Sequence, residues 1–110
     1  MSEKKVAKII AFLQNNLREQ RLNITKIILF GSYAKGGASA ESDIDIVIVS
    51  GDFRNKNIFE RVNLIKNAEI KTIKKFMMPL DIITLTPEEL ENEASLISGY
   101  AKQGKVLFAA

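Results

Sequence analysis

The sequence contains no cysteine and no histidine, and these two absences exclude much of the chemistry open to a small protein. Without cysteine there is no disulfide framework, thiolate zinc site, iron–sulfur cluster or thiol nucleophile. Without histidine there is no serine–histidine–aspartate catalysis, no histidine base and no imidazole metal ligand. Any reaction must therefore use carboxylates, amines, hydroxyls and the backbone, and a bound metal should be a hard, oxygen-ligated ion such as Mg²⁺ or Mn²⁺.

Long hydrophobic runs are absent as well. The longest are strand-length, short of the ~20 residues that a membrane helix needs, and the N-terminus lacks the apolar core of a signal peptide. The 110 residues are 46% hydrophobic and 26% charged, a balance typical of one globular domain over residues 1–110. The net charge of +3 is too small to indicate a nucleic-acid-binding protein by itself. We therefore expect a soluble, cytoplasmic protein without a membrane segment.

Helical and strand periods follow one another along the chain. Apolar residues at helical spacing predict two long helices, over about residues 2–20 and 58–77. In the second helix the apolar stripe consists of Ile58, Val62, Ile65, Ile73 and Phe76, and Glu69 interrupts it at its middle. Runs rich in β-branched residues predict four strands, over residues 24–30, 43–49, 80–85 and 106–108. The Gly-, Ala- and Ser-rich segment 31–42 is expected to hold a loop and a short helix. The sequence Thr86-Pro87-Glu88-Glu89 predicts the start of a last helix that runs to about Gln103. This order indicates an α/β (α+β) fold with a small mixed β-sheet flanked by helices.

Two aspartates open the second predicted strand. Asp43 and Asp45 share one face of it, with Cα atoms ~6.6 Å apart, so both carboxylates can reach the same cation. Repulsion and burial make it costly to keep both charged, and a divalent ion reverses that balance. The alternative is that both carboxylates simply face water where the strand begins.

A third acid, Asp81, begins the third strand, where it could equally mark a strand boundary. A helical segment joins the second and third strands, which suits a parallel crossover. Since parallel strands begin at the same edge of a sheet, Asp81 would lie beside Asp43 and Asp45. If the first two strands are antiparallel, Gly31 and Ser32 reach this edge too.

The segment after the first strand has groups that suit a polyphosphate. Gly31 allows close approach of the backbone, and Ser32 offers a hydroxyl and could cap a short helix whose free N–H groups attract anions. Lys35 adds a positive charge, and Gly36 and Gly37 permit a tight turn. The alternatives are an ordinary loop and a solvated surface lysine.

In combination, these motifs resemble the DNA polymerase β-like nucleotidyltransferase superfamily, and most of all its small branch, the minimal nucleotidyltransferases. The matching motifs are Gly31-Ser32, Asp43-Ile44-Asp45 and Leu80-Asp81-Ile82-Ile83, within a resemblance that covers about residues 24–108. Lys35 stands where many members have arginine, a departure that keeps the charge. The resemblance implies a polymerase β-like nucleotidyltransferase fold. It also implies six site residues: catalytic and metal-binding Asp43, Asp45 and Asp81, and nucleotide-binding Gly31, Ser32 and Lys35.

The resemblance further implies an enzyme that transfers AMP from ATP to a hydroxyl with two Mg²⁺ ions, or Mn²⁺ in their place. Minimal nucleotidyltransferases often act as antitoxins that add AMP to a tyrosine of a HEPN-domain ribonuclease toxin, so such a toxin is the expected partner. A chain of this length has little room for an acceptor pocket, which a second chain of a homo- or hetero-oligomer would complete.

Three other functions stay open at this point. The domain could neutralise a partner by contact alone, or transfer the nucleotide to a small molecule. Nucleic acid could bind Lys71, Lys74 and Lys75 on the second long helix, but such lysines are more often a solvated face, and no aromatic stacking platform accompanies them. Direct nucleic-acid binding is therefore not expected.

Overall fold

The computed structural model describes residues 3–35 and 43–110, and its elements follow the predicted order. Five α-helices lie within these residues: α1 (Glu3–Glu19), α2 (Gly31–Lys35), α3 (Ile58–Phe76), α4 (Pro87–Leu90) and α5 (Leu96–Lys102). The strands are β1 (Ile24–Phe30), β2 (Ile44–Ser50), β3 (Leu80–Leu85) and β4 (Lys105–Ala109), with one 3₁₀ turn at Gly51–Phe53. None of the described helices combines the length and apolar character that crossing a membrane requires.

The four strands form one mixed sheet in the order β3-β2-β1-β4. β1 pairs antiparallel with both β2 and β4, and β2 pairs parallel with β3. The parallel pairing of β2 with β3, which the helical crossover favoured, is therefore confirmed, as is the α/β (α+β) class with a mixed sheet and flanking helices. β1 and β2 are antiparallel, which is the condition for Gly31 and Ser32 to reach the same edge. The end of β1 and the starts of β2 and β3 meet at one edge of the sheet.

One face of the sheet is sealed by α1 and α3. The stripe of α1 that the helical spacing predicted is buried, and Ile9, Leu13 and Leu17 are fully inaccessible to solvent. These side chains pack in one core with the β2 side chains of Ile44, Ile46 and Ile48. Phe53, from the 3₁₀ turn, is enclosed in the same core.

The opposite face carries a smaller core beneath α4 and α5. Its buried members are Ile28, Val47, Val49, Leu85, Leu90 and Ala101. Alternation along β2 places Asp45 on this face, at the end of the row formed by Val47 and Val49. The second face thus changes from apolar to acidic along a single strand.

The prediction of one continuous helix from Thr86 to about Gln103 was wrong. The Thr86 cap is present, since its side chain accepts a hydrogen bond from the Glu89 N–H and the Glu89 side chain accepts one from the Thr86 N–H. However, α4 ends at Leu90 and α5 begins at Leu96. Between them the Asn92 side chain accepts a hydrogen bond from the Ala94 N–H, and Ser95 caps α5. Such local side-chain bonds compete with helix continuation.

The helical stripe predicted for α3 is only partly buried. Ile65 is buried and Ile73 packs against the α1–α3 core, but Ile58 and Val62 are 66% and 44% exposed. The first turn of α3 is fixed by a capping box between Asn57 and Glu60 rather than by core packing. The apolar spacing therefore predicted the helix correctly but extended its buried face too far toward the N-terminus.

Candidate functional site

Two of the three predicted aspartates lie side by side across a pair of parallel strands. Asp45 on β2 is in direct register with Asp81 on β3. Asp45 is half-buried and Asp81 is exposed. Asp43 is exposed and lies just before β2, whose first N–H group, that of Ile44, donates a 3.0 Å hydrogen bond to the Pro79 carbonyl oxygen. That bond ties the start of β2 to the segment leading into β3, so the three aspartates share one edge of the sheet.

Gly31 lies directly against this pair of carboxylates. Its neighbour Phe30 is in register with Asp45, and Gly31 itself has a φ of +70°, which favours glycine. A Cβ atom added at Gly31 would collide with the Asp45 carboxylate. The turn from β1 into α2 therefore passes so close to Asp45 that only a residue without a side chain fits there.

The electrostatics of the edge are those of crowded negative charge. Burial raises the pKa of the Asp45 carboxyl, and the charge of Asp81 raises it further. A side-chain hydrogen bond with Asp81 and the charge of Asp43 act in the same direction, because both favour the protonated form of Asp45. An opposing positive charge would stabilise this edge.

Glu69 is a further acid near this edge, and sequence reasoning treated it only as an interruption of the α3 stripe. It is half-buried, burial raises its pKa, and the charge of Asp81 raises it again. An acid in the middle of an apolar helical face was the available signal. The sequence alone could not show that Glu69 lies near Asp81, because that proximity depends on how α3 packs against β3.

The predicted phosphate-binding residues are described only in part. Ser32 and Lys35 belong to α2 by their backbone, whereas their side chains lie outside what the structure describes. Gly36, Gly37 and Ser42 lie outside the described residues altogether. The roles of Ser32 and Lys35 therefore stay predictions, and Gly31 is the one member of the motif whose surroundings are defined.

The acidic edge offers part of a metal site. Within residues 3–35 and 43–110, no group of three or more carboxylates is arranged to hold a metal ion. The adjacent Asp45 and Asp81 nevertheless fit Mg²⁺, which proteins commonly bind through one or two carboxylates while substrate phosphates and water complete the coordination. Two observations favour such an ion: the donors are hard carboxylate oxygens, and burial together with the charge of Asp81 raises the pKa of Asp45.

The lysines of α3 offer little for a nucleic acid. Lys71, Lys74 and Lys75 are exposed, as expected for a solvated face. The ammonium group of Lys75 lies 5.3 Å from the centre of the Phe12 ring and 5.9 Å from that of Phe76. Both rings are partly buried and pack edge to face on each other, so neither forms an open stacking surface.

Comparison with known proteins places the chain in an enzyme family. The model of the nucleotidyltransferase domain family matches residues 3–106, nearly the whole chain. A Methanocaldococcus jannaschii protein named "Putative protein adenylyltransferase" is 27% identical over an alignment of 111 positions. The alignment covers 98% of this chain and 75% of that protein.

Two solved structures are similar in fold. One, described as a "putative nucleotidyltransferase" from Sulfolobus solfataricus, has a TM-score of 0.71 at 20% identity and covers 96% of this chain and 81% of its own. The other, a toxin–antitoxin with AMP-PNP, has a TM-score of 0.62 at 25% identity and covers 94% of this chain and 73% of its own.

Proposed function

Since the chain belongs to the nucleotidyltransferase domain family, we propose that it transfers AMP from ATP to a protein hydroxyl and acts as the antitoxin of a HEPN-domain toxin. The acceptor in this proposal is a tyrosine of that toxin. Support comes from the similar Methanocaldococcus jannaschii protein, whose name is that of an adenylyltransferase acting on proteins. The toxin–antitoxin structure with AMP-PNP supports both the nucleotide and the kind of partner.

The observation that carries the proposal is the juxtaposition of Gly31, Asp45 and Asp81. The backbone turn at Gly31 lies directly against the paired carboxylates, so phosphates bound by that turn would lie next to a metal held by Asp45 and Asp81. Asp45 and Asp81 would hold the metal, with Asp43 a further carboxylate at the same edge, and Mg²⁺, when bound, would polarise the phosphates and lower the pKa of the attacking hydroxyl.

The reaction itself exchanges one phosphate ester bond for another. The acceptor oxygen forms a bond to the α-phosphorus while the bond from that phosphorus to the oxygen bridging to the β-phosphate breaks, and pyrophosphate leaves. Asp81 lies at the exposed end of the carboxylate pair and takes the proton of the acceptor hydroxyl, a task for which the chain has no histidine. Gly31 and Ser32 hold the β- and γ-phosphates, and Lys35 balances their charge.

The test incubates the protein with ATP, Mg²⁺ and the purified product of the neighbouring reading frame. Intact-mass spectrometry should show AMP-sized additions on that partner, and Asp45→Asn or Asp81→Asn should abolish them. Asp52→Asn is the matched control: its carboxylate accepts a hydrogen bond from the Asn23 N–H away from the acidic edge, and an amide oxygen can replace it. A partner that is neutralised without a mass change would instead assign the protein to inhibition by contact.

A further inference from the structure

A recess lies on the face of the sheet that α4 and α5 cover, between the end of β1 and α5. Its main cavity has a volume of about 290 Å³ and is lined by Phe30, Gly31, Ala34, Tyr100, Gln103 and Gly104. A smaller apolar cavity of about 40 Å³ shares Phe30 and Tyr100 with it and reaches Val47 and Ile83 of the sheet. The main volume is close to the lower limit of about 300 Å³ that is usual for small-molecule sites.

The recess lies next to the carboxylate pair. Gly31 lines the cavity and also packs against the Asp45 carboxylate, while Phe30 lines it and stands in register with Asp45. A ligand whose phosphates lie at Asp45 can therefore extend into this cavity without leaving the surface of the protein.

The lining suits a flat, uncharged group better than a phosphate. None of the six described residues that line the main cavity is charged, so these residues offer no side-chain cation for an anion. Tyr100 is 63% exposed although it is aromatic, which leaves its ring available for stacking. Gln103 is exposed at the same wall and carries one amide donor group beside one acceptor oxygen.

We propose that this recess binds the nucleobase of the nucleotide, with Tyr100 stacked on the base and the Gln103 amide hydrogen-bonded to its edge. An amide presents a donor and an acceptor side by side, a pattern that adenine complements with its N6 amino group and N7. Stacking on Tyr100 and pairing with the Gln103 amide would therefore add affinity for the base to whatever the phosphates contribute. This inference rests on the proposed nucleotidyl transfer, and it assigns binding of the base to α5 and the residue that follows it.

Calorimetric titration with two probes separates base binding from phosphate binding. ATP and inorganic tripolyphosphate, each with Mg²⁺, are titrated into the wild type and into Tyr100→Ala. Loss of a stacked base should weaken ATP binding about tenfold while tripolyphosphate binding is unchanged. Tyr100→Phe, which keeps the ring, should restore ATP affinity, and Gln103→Ala should weaken ATP binding while tripolyphosphate binding is unchanged.

The control is Phe59→Ala, another exposed aromatic at 78%, located at the start of α3. It should leave both titrations unchanged. Three results would overturn the inference: unchanged ATP affinity in Tyr100→Ala, equal loss of ATP and tripolyphosphate binding, or equal affinity of the wild type for both probes. If Tyr100→Ala bound ATP normally but no longer transferred AMP, the recess would bind the acceptor and not the nucleobase. A wild type that binds neither probe would overturn the proposed function as well, so the two failures are distinguishable.

Discussion

The two faces of the sheet share one set of strands, yet one face is sealed and the other is open. On the α1–α3 face, long aliphatic side chains such as Ile9 and Leu13 are completely enclosed. On the α4–α5 face, the buried cluster is smaller, the edge carries Asp45 and Asp81, and Leu96 is 82% exposed. Folding free energy is therefore concentrated on the first face, while the second gives up burial for space and charge.

This contrast is encoded by alternation along β2. Ile44, Ile46 and Ile48 point to the sealed face, whereas Asp45 precedes Val47 on the open one. A shift of one residue in register would exchange the faces and bury the carboxylate beneath two helices. The packing of Ile44, Ile46 and Ile48 on one face thus fixes the position of the Asp45 carboxylate on the other.

The largest expected effect comes from the same substitution made on a helix of each face. Leu13→Ala on α1 removes a fully enclosed side chain and should lower the free energy of unfolding by about 2–5 kcal/mol. Leu96→Ala on α5 removes a side chain that is already in water and should change it by no more than about 0.5 kcal/mol. Urea denaturation measures both, and similar losses in the two variants would contradict the division of roles between the faces.

An intermediate effect is expected at glycine. Gly31→Ala imposes a side chain at a φ of +70° and drives its Cβ into the Asp45 carboxylate, so stability should fall by about 1–3 kcal/mol. ATP titration should show lost nucleotide binding as well.

The matched substitution is Gly99→Ala within α5, where an added Cβ has no neighbour within 4 Å. Alanine is the better helix former, so this variant should gain about 0.5–1 kcal/mol. A loss of stability at Gly99, or none at Gly31, would show that the packing at the open face differs from that described.

Much of this arrangement follows from the sequence. Alternation and β-branching predicted β1, β2 and β3, and the helix between β2 and β3 favoured the parallel pairing that aligns Asp81 with Asp45. Both features depend on local periods and chain connectivity, which are readable from one sequence.

The break between α4 and α5 could not be predicted in the same way. Residues 91–95 include strong helix formers, and the break results from side-chain bonds of Asn92 and Ser95. The recess at Tyr100 and Gln103 depends on where α5 docks on the sheet, and that position follows from tertiary packing rather than from any local pattern.

The smallest expected effect is a gain in stability on removal of the Asp45 charge, and it tests the open face most directly. Burial and the neighbouring aspartates raise the pKa of Asp45 above its ordinary 3.8, so the folded state binds this proton more tightly than the unfolded chain does. Ionisation of Asp45 therefore lowers the free energy of unfolding as the pH rises from 3.8 through the higher pKa of the folded state. In chelator at pH 7, Asp45→Asn should raise the free energy of unfolding by about 0.5 kcal/mol, or the melting temperature by about 2–4 °C.

Well below pH 3.8 the Asp45 carboxyl is neutral in both the folded and the unfolded state, so the stability of the wild type should converge on that of Asp45→Asn. Thermal melts of both proteins at pH 7 and at such a low pH measure the difference. Asp52→Asn, away from the acidic edge, should show no such gain. Mg²⁺ with ATP should stabilise the wild type but not Asp45→Asn, because the carboxylate whose charge lowers stability in chelator is the proposed ligand of the cation. A lower melting temperature for Asp45→Asn in chelator would mean that Asp45 stabilises the fold, and the open face would then not sacrifice stability for its site.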